Sequence, residues 1–266
     1  MEGRRRIRKA EATFRETDAV WAKVAGPDSS ESSVTEVNLG NLLAYEGRYP
    51  QAEGVLRNAL RISRLHYPET SKQVRFARFR LANTLAHVGK SEEAITLVQV
   101  LLDGPAPESD YEHYILGASQ MAFAEASLRL NRSDRALSAA RSALEQMKAL
   151  RPLDNTNIGR AQFLIGRIEI ARGKRDEAKT TLREAVATLA QEEDADADPR
   201  MLDARITLAE TLAAAGKRDD ARAIITDMHD PLAGGEYPYK TELYARLRKL
   251  SSRLDGASHS RAVAGK

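Results

Sequence analysis

The chain has 266 residues, 42% of them apolar and 30% charged, with no cysteine and a formal net charge of +3. That apolar share excludes a wholly disordered chain, and the short, charge-interrupted apolar runs exclude a membrane-spanning helix. Without cysteine there is no disulfide, no thiolate nucleophile and no cysteine-bound zinc. The basic balance belongs to the ends: residues 1–9 hold five basic side chains and one acidic, and residues 255–266 hold two and one, so the 245 between sum to −2. The body therefore disfavours nucleic acid as a partner. The amino-terminal arginines precede no apolar run, so no secretory signal or anchor is read there and a cytoplasmic location is the default expectation.

In chain order, residues 4–24 read as a helix carrying Ala10, Phe14 and Trp21, with Trp21 expected to bury against the first complete repeat. From there one pattern recurs, Gly-x-x-x-x-Ala. Gly47 precedes Ala52, Gly89 precedes Ala94, Asn131 precedes Ala136, Gly173 precedes Ala178 and Gly216 precedes Ala221, so the alanines step by 42, 42, 42 and 43. A helix that ends beside its neighbour wants a left-handed residue, glycine or else asparagine, at its carboxyl end. Beyond each such turn the apolar residues fall at helical spacing, as in Ala52, Val55, Leu56, Ala59 and Leu60.

The pattern predicts first helices near 33–46, 72–88, 110–130, 156–172 and 200–215. Second helices are predicted near 49–65, 91–103, 133–150, 175–191 and 218–228. Eight of the nine prolines fall between these units, and Pro50 falls in the first turn of a second helix, where its missing N–H does no harm. No alternating strand pattern competes. The sequence is thus divided into a helix at 1–24, which is either a native cap or half of a repeat from a longer protein, five repeats over 33–230, a capping helix at 239–254 and a disordered tail at 255–266.

The first unit, with Leu39, Gly40, Gly47, Tyr49, Ala52, Ala59 and Leu60, resembles a tetratricopeptide repeat. The 42-residue period is similar to the variant found in kinesin light chains and in repeat domains of bacterial serine/threonine kinases and regulators. The resemblance implies an all-α fold, an αα-superhelix of about five helical hairpins with a cap at each end. It also implies a concave groove lined by the first helices, with Gly40 marking the eighth position of its unit.

On that frame the candidate peptide-binding residues are Asn38, Asn41 and Tyr45, then Phe76, Phe79, Arg80, Asn83 and His87, then Glu125 and Arg129, then Arg160 and Arg167. Asparagine can bond both N–H and C=O of an extended peptide, and arginine can clamp a carboxylate, so a protein or peptide partner with acidic side chains or a free carboxyl terminus suits this lining. Asparagine is mediocre inside a helix, so Asn41 and Asn83 at equivalent positions ask for a hydrogen-bond partner, either a ligand or a neighbouring repeat.

Catalytic and metal motifs do not appear. The five histidines lack the i, i+4 spacing of a zinc-binding helix face. The run Asp194-x-Asp196-x-Asp198 starts like a calcium loop but meets Pro199 and Arg205 where that loop needs glycine and glutamate. The sequence therefore reads as a non-enzymatic interaction module without a cofactor. The alternative is a regulatory domain that responds to a small signalling peptide or metabolite; the oligomeric state is left open.

Overall fold

The computed structural model describes residues 2–150, 153–192, 198–226, 228 and 238–264. All the described regular structure is helical: α1 (Glu2–Val24), α2 (Ser30–Tyr45), α3 (Tyr49–His66), α4 (Lys72–His87), α5 (Ser91–Leu102), α6 (Asp110–Arg129), α7 (Ser133–Ala149), α8 (Asn155–Ala171), α9 (Arg175–Leu189), α10 (Pro199–Ala214), α11 (Arg218–Thr226) and α12 (Pro238–Ala264). No described helix is long and apolar enough to cross a membrane.

The chain divides into two compact units, Met1–Leu153 and Asp154–Lys266. The first holds α1 and the hairpins α2/α3, α4/α5 and α6/α7. The second holds the hairpins α8/α9 and α10/α11, with α12 packed on α10 and α11.

The turn inside every hairpin is the same chemical device. Gly47, Gly89, Asn131, Gly173 and Gly216 all sit at positive φ, between 57° for the asparagine and 83° for Gly89. The next N–H then reaches back to close the helix end: Arg48 donates to Leu43 O at 2.9 Å, Lys90 to Leu85 O at 2.9 Å, Arg132 to Ser127 O at 2.8 Å, Lys174 to Glu169 O at 2.8 Å and Lys217 to Leu212 O at 3.0 Å. This six-residue loop of hydrogen bonding satisfies carbonyls the helix would otherwise orphan. First helices begin differently, on side chains: Ser29, Ser71, Ser109, Asp154 and Asp198 each accept an N–H of the first turn.

The signature alanines, Ala52, Ala94, Ala136, Ala178 and Ala221, are fully buried. They let two helices of one hairpin approach until larger side chains interlock. At Gly40 a Cβ would lie 2.5 Å from Leu56 Cγ, and at Gly166 a Cβ would lie 2.7 Å from Leu182 Cγ, so glycine is required where leucine of the second helix crosses the first.

Two boundaries differ from the sequence reading by three residues or more. Helix α2 starts at Ser30 rather than 33, because Ser29 caps it. Helical backbone in α12 continues through Ala264, beyond the end expected at 254, since residues 255–264 contain no proline and include Ala257, Ala262 and Ala264. Trp21 is half-buried on α1, which packs on α2.

A pair of substitutions tests the interlock by urea unfolding. Gly40→Ala must displace Leu56 and is expected to cost about 1–3 kcal/mol. Gly54→Ala, on the exposed side of α3 with nothing within 4 Å of the new carbon, is expected to stabilise by about 0.5–1 kcal/mol.

Candidate functional site

Within the first unit the first helices lie side by side, α2 against α4 and α4 against α6, and present one shared face. At its centre Phe76 and Phe79 of α4 meet edge to face, with centroids 5.1 Å apart, and Phe79 meets Tyr114 of α6 the same way at 5.9 Å. The Arg80 guanidinium carbon lies 4.9 Å from the Phe76 ring centre and 4.8 Å from that of Phe79. Its Nη2 donates to the Tyr114 hydroxyl at 3.1 Å.

Two phenyl faces and one phenol stabilise a cation, but they do not neutralise it. No carboxylate pairs with Arg80 among the described residues, and its buried Nε has no hydrogen-bond acceptor. Removal from water holds the Arg80 pKa below the ordinary arginine value. The arrangement is a flat fork of N–H donors set against two rings and a phenol, and a carboxylate fits such a fork edge-on.

A second cluster lies where α4 and α6 end. His87 stacks on Tyr49, the first residue of α3, with centroids 4.3 Å apart and planes 3° from parallel. Arg129 Nη2 donates to His87 Nδ1 at 3.4 Å, and Arg129 Nε donates to the buried Glu125 at 3.0 Å. Since arginine only donates, a hydrogen bond there needs His87 Nδ1 as the acceptor. Arg129 is thereby neutralised locally, unlike Arg80.

Asn38 on α2 is exposed, while Asn41 on α2 and Asn83 on α4 are half-buried. Neighbouring repeats do not supply the partners that Asn41 and Asn83 ask for: none of the three amides hydrogen-bonds another side chain or the backbone among the described residues. Val34 and Tyr45 lie on the same helix with half or nearly half of their surface exposed, 50% and 41%. This stretch of α2 is apolar surface punctuated by open amides.

Arg160 and Arg167 belong to the second unit. Arg160 Nη1 donates to Asn157 Oδ1 at 2.9 Å, and Arg167 lies over Phe163 at 5.8 Å. Further along that unit Arg246 of α12 bonds Asp203 at 2.7 Å, Glu210 at 2.7 Å and Thr207 at 3.0 Å, filling the corresponding positions of α10 with the protein's own side chain. Of the acidic run read as a loop, Asp198 caps α10, whereas Asp194 and Asp196 lie outside the described residues, as does His229.

Tyr114 is not singled out by the sequence pattern and is the missing half of the Arg80 site. A usable signal exists in the spacing: side chains of successive first helices meet at separations of 34 residues for Arg80 and Tyr114, 39 for Lys72 and Tyr111, and 42 for His87 and Arg129. An aromatic residue 34 to 42 positions beyond a groove arginine is therefore worth seeking.

The physical cost of Arg80 yields a test of whether it serves the fold. Arg80→Met keeps the packing and removes an orphaned buried donor, so it is expected to raise unfolding stability by about 1 kcal/mol. A loss above about 2 kcal/mol in chemical denaturation would make the arginine structural instead.

The model of the tetratricopeptide repeat family matches residues 202–225. No curated protein matches the chain in sequence. Among solved structures, NprR in complex with its cognate peptide NprX is 19% identical, with a TM-score of 0.71 over 98% of this chain and 71% of that one. A Rap protein complexed with Competence and Sporulation Factor is 16% identical, with a TM-score of 0.59 over 94% and 78%. The tetratricopeptide-like repeats of a putative kinesin light chain from Podosopora anserina are 18% identical, with a TM-score of 0.51 over 83% and 95%. With five glycine or asparagine turns, five buried alanines and paired helices throughout, the chain has the helical-repeat fold of tetratricopeptide proteins.

Proposed function

We propose that this protein is a non-enzymatic peptide-binding module and that the first-helix face of the first unit holds the ligand. The observation that carries the reading is Arg80: a half-buried cation with a buried, unsatisfied Nε, held against Phe76 and Phe79 and bonded to Tyr114. A fold that needed only stability would place an apolar side chain there. The ligand's carboxylate, from an acidic side chain or a free carboxyl terminus, completes the arginine fork. Asn38, Asn41 and Asn83 bond the backbone of an extended peptide, and Val34 and Tyr45 cover its apolar side chains.

One of the structures similar in fold, NprR, holds its cognate peptide, which supports a short peptide over a large folded partner. On this reading the protein is the docking or sensing part of a regulator, and the response is a change in how the repeats pack once the anion arrives. Arg160 and Arg167 extend the reading to the second unit, where each already leans on a neighbour.

The test uses a random pentapeptide pool incubated with the intact chain and read by mass spectrometry, followed by affinities for the enriched peptides. Enrichment of peptides with free carboxylates is expected, and Arg80→Met is expected to weaken their binding at least tenfold, in line with the roughly 2–5 kcal/mol seen when one member of a buried charge pair is removed. Asn83→Ala is expected to weaken it several-fold, about the worth of one hydrogen bond. Absence of any enrichment, or equal binding by Arg80→Met, contradicts the proposal.

A further inference from the structure

Helix α1 is seated on the first hairpin as a second helix is seated on the hairpin that follows it. Glu11 of α1 accepts from Arg48 at 2.8 Å, and 42 residues further on Glu53 of α3 accepts from Lys90 at 2.6 Å. By the same count Ala10, Phe14, Thr17 and Val20 of α1 correspond to Ala52, Leu56, Ala59 and Ile62 of α3, and Trp21 corresponds to Met147 of α7 and Leu189 of α9. Those positions form the seam of a hairpin. Leu56 crosses its first helix at Gly40, Met147 Cε lies 2.6 Å from where a Cβ of Gly117 would stand, and Leu189 Cγ lies 2.6 Å from that of Gly159.

In the hairpins the seam is closed: Ala52, Leu56, Ala59, Ile62 and Met147 are fully buried, and Leu189 nearly so. In α1 it is open. Ala10, Phe14, Thr17 and Trp21 are half-buried, Val20 is 54% exposed and Val24 75%. Helix α1 packs on α2, but among the described residues no helix stands against it as α2 stands against α3. A tryptophan, a phenylalanine and two valines on one side of a helix are a patch of the kind that marks an interaction surface.

What fits an open seam is set by the closed ones. There the occupant is an antiparallel helix that places a small residue under each large one, as Gly40 lies under Leu56 and Gly117 under Met147. A second α1 meets both conditions. In one antiparallel register Ala10 of each copy falls opposite Trp21 of the other and Thr17 opposite Phe14, so each large side chain finds a small one. Charge favours the same direction: residues 2–9 hold five basic side chains and one acidic, and residues 10–24 hold two basic and three acidic. Antiparallel packing opposes unlike halves, whereas parallel packing would set the two basic halves side by side.

Helix α12 offers no such seam. Arg246 of α12 reaches Asp203 of α10, 43 residues earlier, so Ser252 of α12 is the counterpart of the fully buried Ala209. Ser252 is exposed, and so are Arg248, Arg253 and Asp255 near it. That face is polar, as a terminal helix of a repeat array in water needs to be. Self-association through a single open seam closes at two copies. We propose that this chain forms a two-fold dimer in which the α1 helices of two copies pack antiparallel, each taking the place of a first helix against the other. The proposal makes no use of the peptide site, and neither reading depends on the other.

The experiment is sedimentation equilibrium of the intact chain from micromolar to millimolar concentration, with the emission of Trp21, the single tryptophan, recorded over the same range. The mass is expected to rise from one copy to two and stop there, while the Trp21 emission moves to shorter wavelength as the seam closes over the indole. Ala10→Lys, which sets a charge under Trp21 of the other copy, is expected to weaken dimerisation by about tenfold or more, the scale of losing a central anchor. Val20→Lys, at a position more than half exposed in one copy, is expected to weaken it several-fold and covers the case in which the first substitution disturbs the helix. Helical content and thermal midpoint at the lowest concentration are expected to be unchanged in Val20→Lys. A single-copy mass at every concentration, a mass that climbs beyond two copies, or a dimer as tight in both variants as in the original chain overturns the proposal.

Discussion

The close approach of two helices within each hairpin is the constraint on which the remaining features rest. Buried alanines on the second helix and glycines such as Gly40 and Gly166 on the first bring backbones near enough for Leu56 and Leu182 to lock across the seam. Helices that close cannot be joined by an extended linker, so the connection is a left-handed residue with a back-reaching N–H. Small residues spent on the seam leave the first helix of each hairpin free to carry polar and aromatic side chains on its opposite flank. The candidate site occupies that flank in the first unit.

Most of the architecture could be read from residues because it depends on local chemistry that repeats. Positive φ demands glycine or asparagine, close packing demands alanine, and a helix start favours serine or aspartate, so each mark has one cause and recurs where the cause recurs. The ends were less legible. The stretch after Leu254 is polar and small, a composition that suggests disorder, yet nothing in it breaks a helix that α10 and α11 have already begun to anchor. The division of the chain after Leu153 is likewise invisible in a pattern that runs through it unbroken.

At the site, the sequence frame identified Phe76, Phe79, Arg80 and Asn83 as neighbours on α4, because one helix face is a matter of counting. It did not identify Tyr114, because that contact depends on how far α6 slides along α4. Nor could it show that, among the described residues, Arg80 lacks a carboxylate whereas Arg129 and Arg246 have one. Pairing of charges between elements is decided by packing offsets of a few ångströms, which spacing in the chain does not record.

The central claim is that Arg80 waits for an anion, and the Nε proton of that residue reports on it directly. In a 15N-labelled sample its resonance can be followed while a short acidic peptide is titrated in. A marked downfield move of this one arginine signal, saturating with the peptide and absent with the fully amidated, uncharged analogue, is the predicted result. A signal that stays in place while backbone amides elsewhere shift would contradict the account, because the ligand would then bind without meeting the charge on which the site is built.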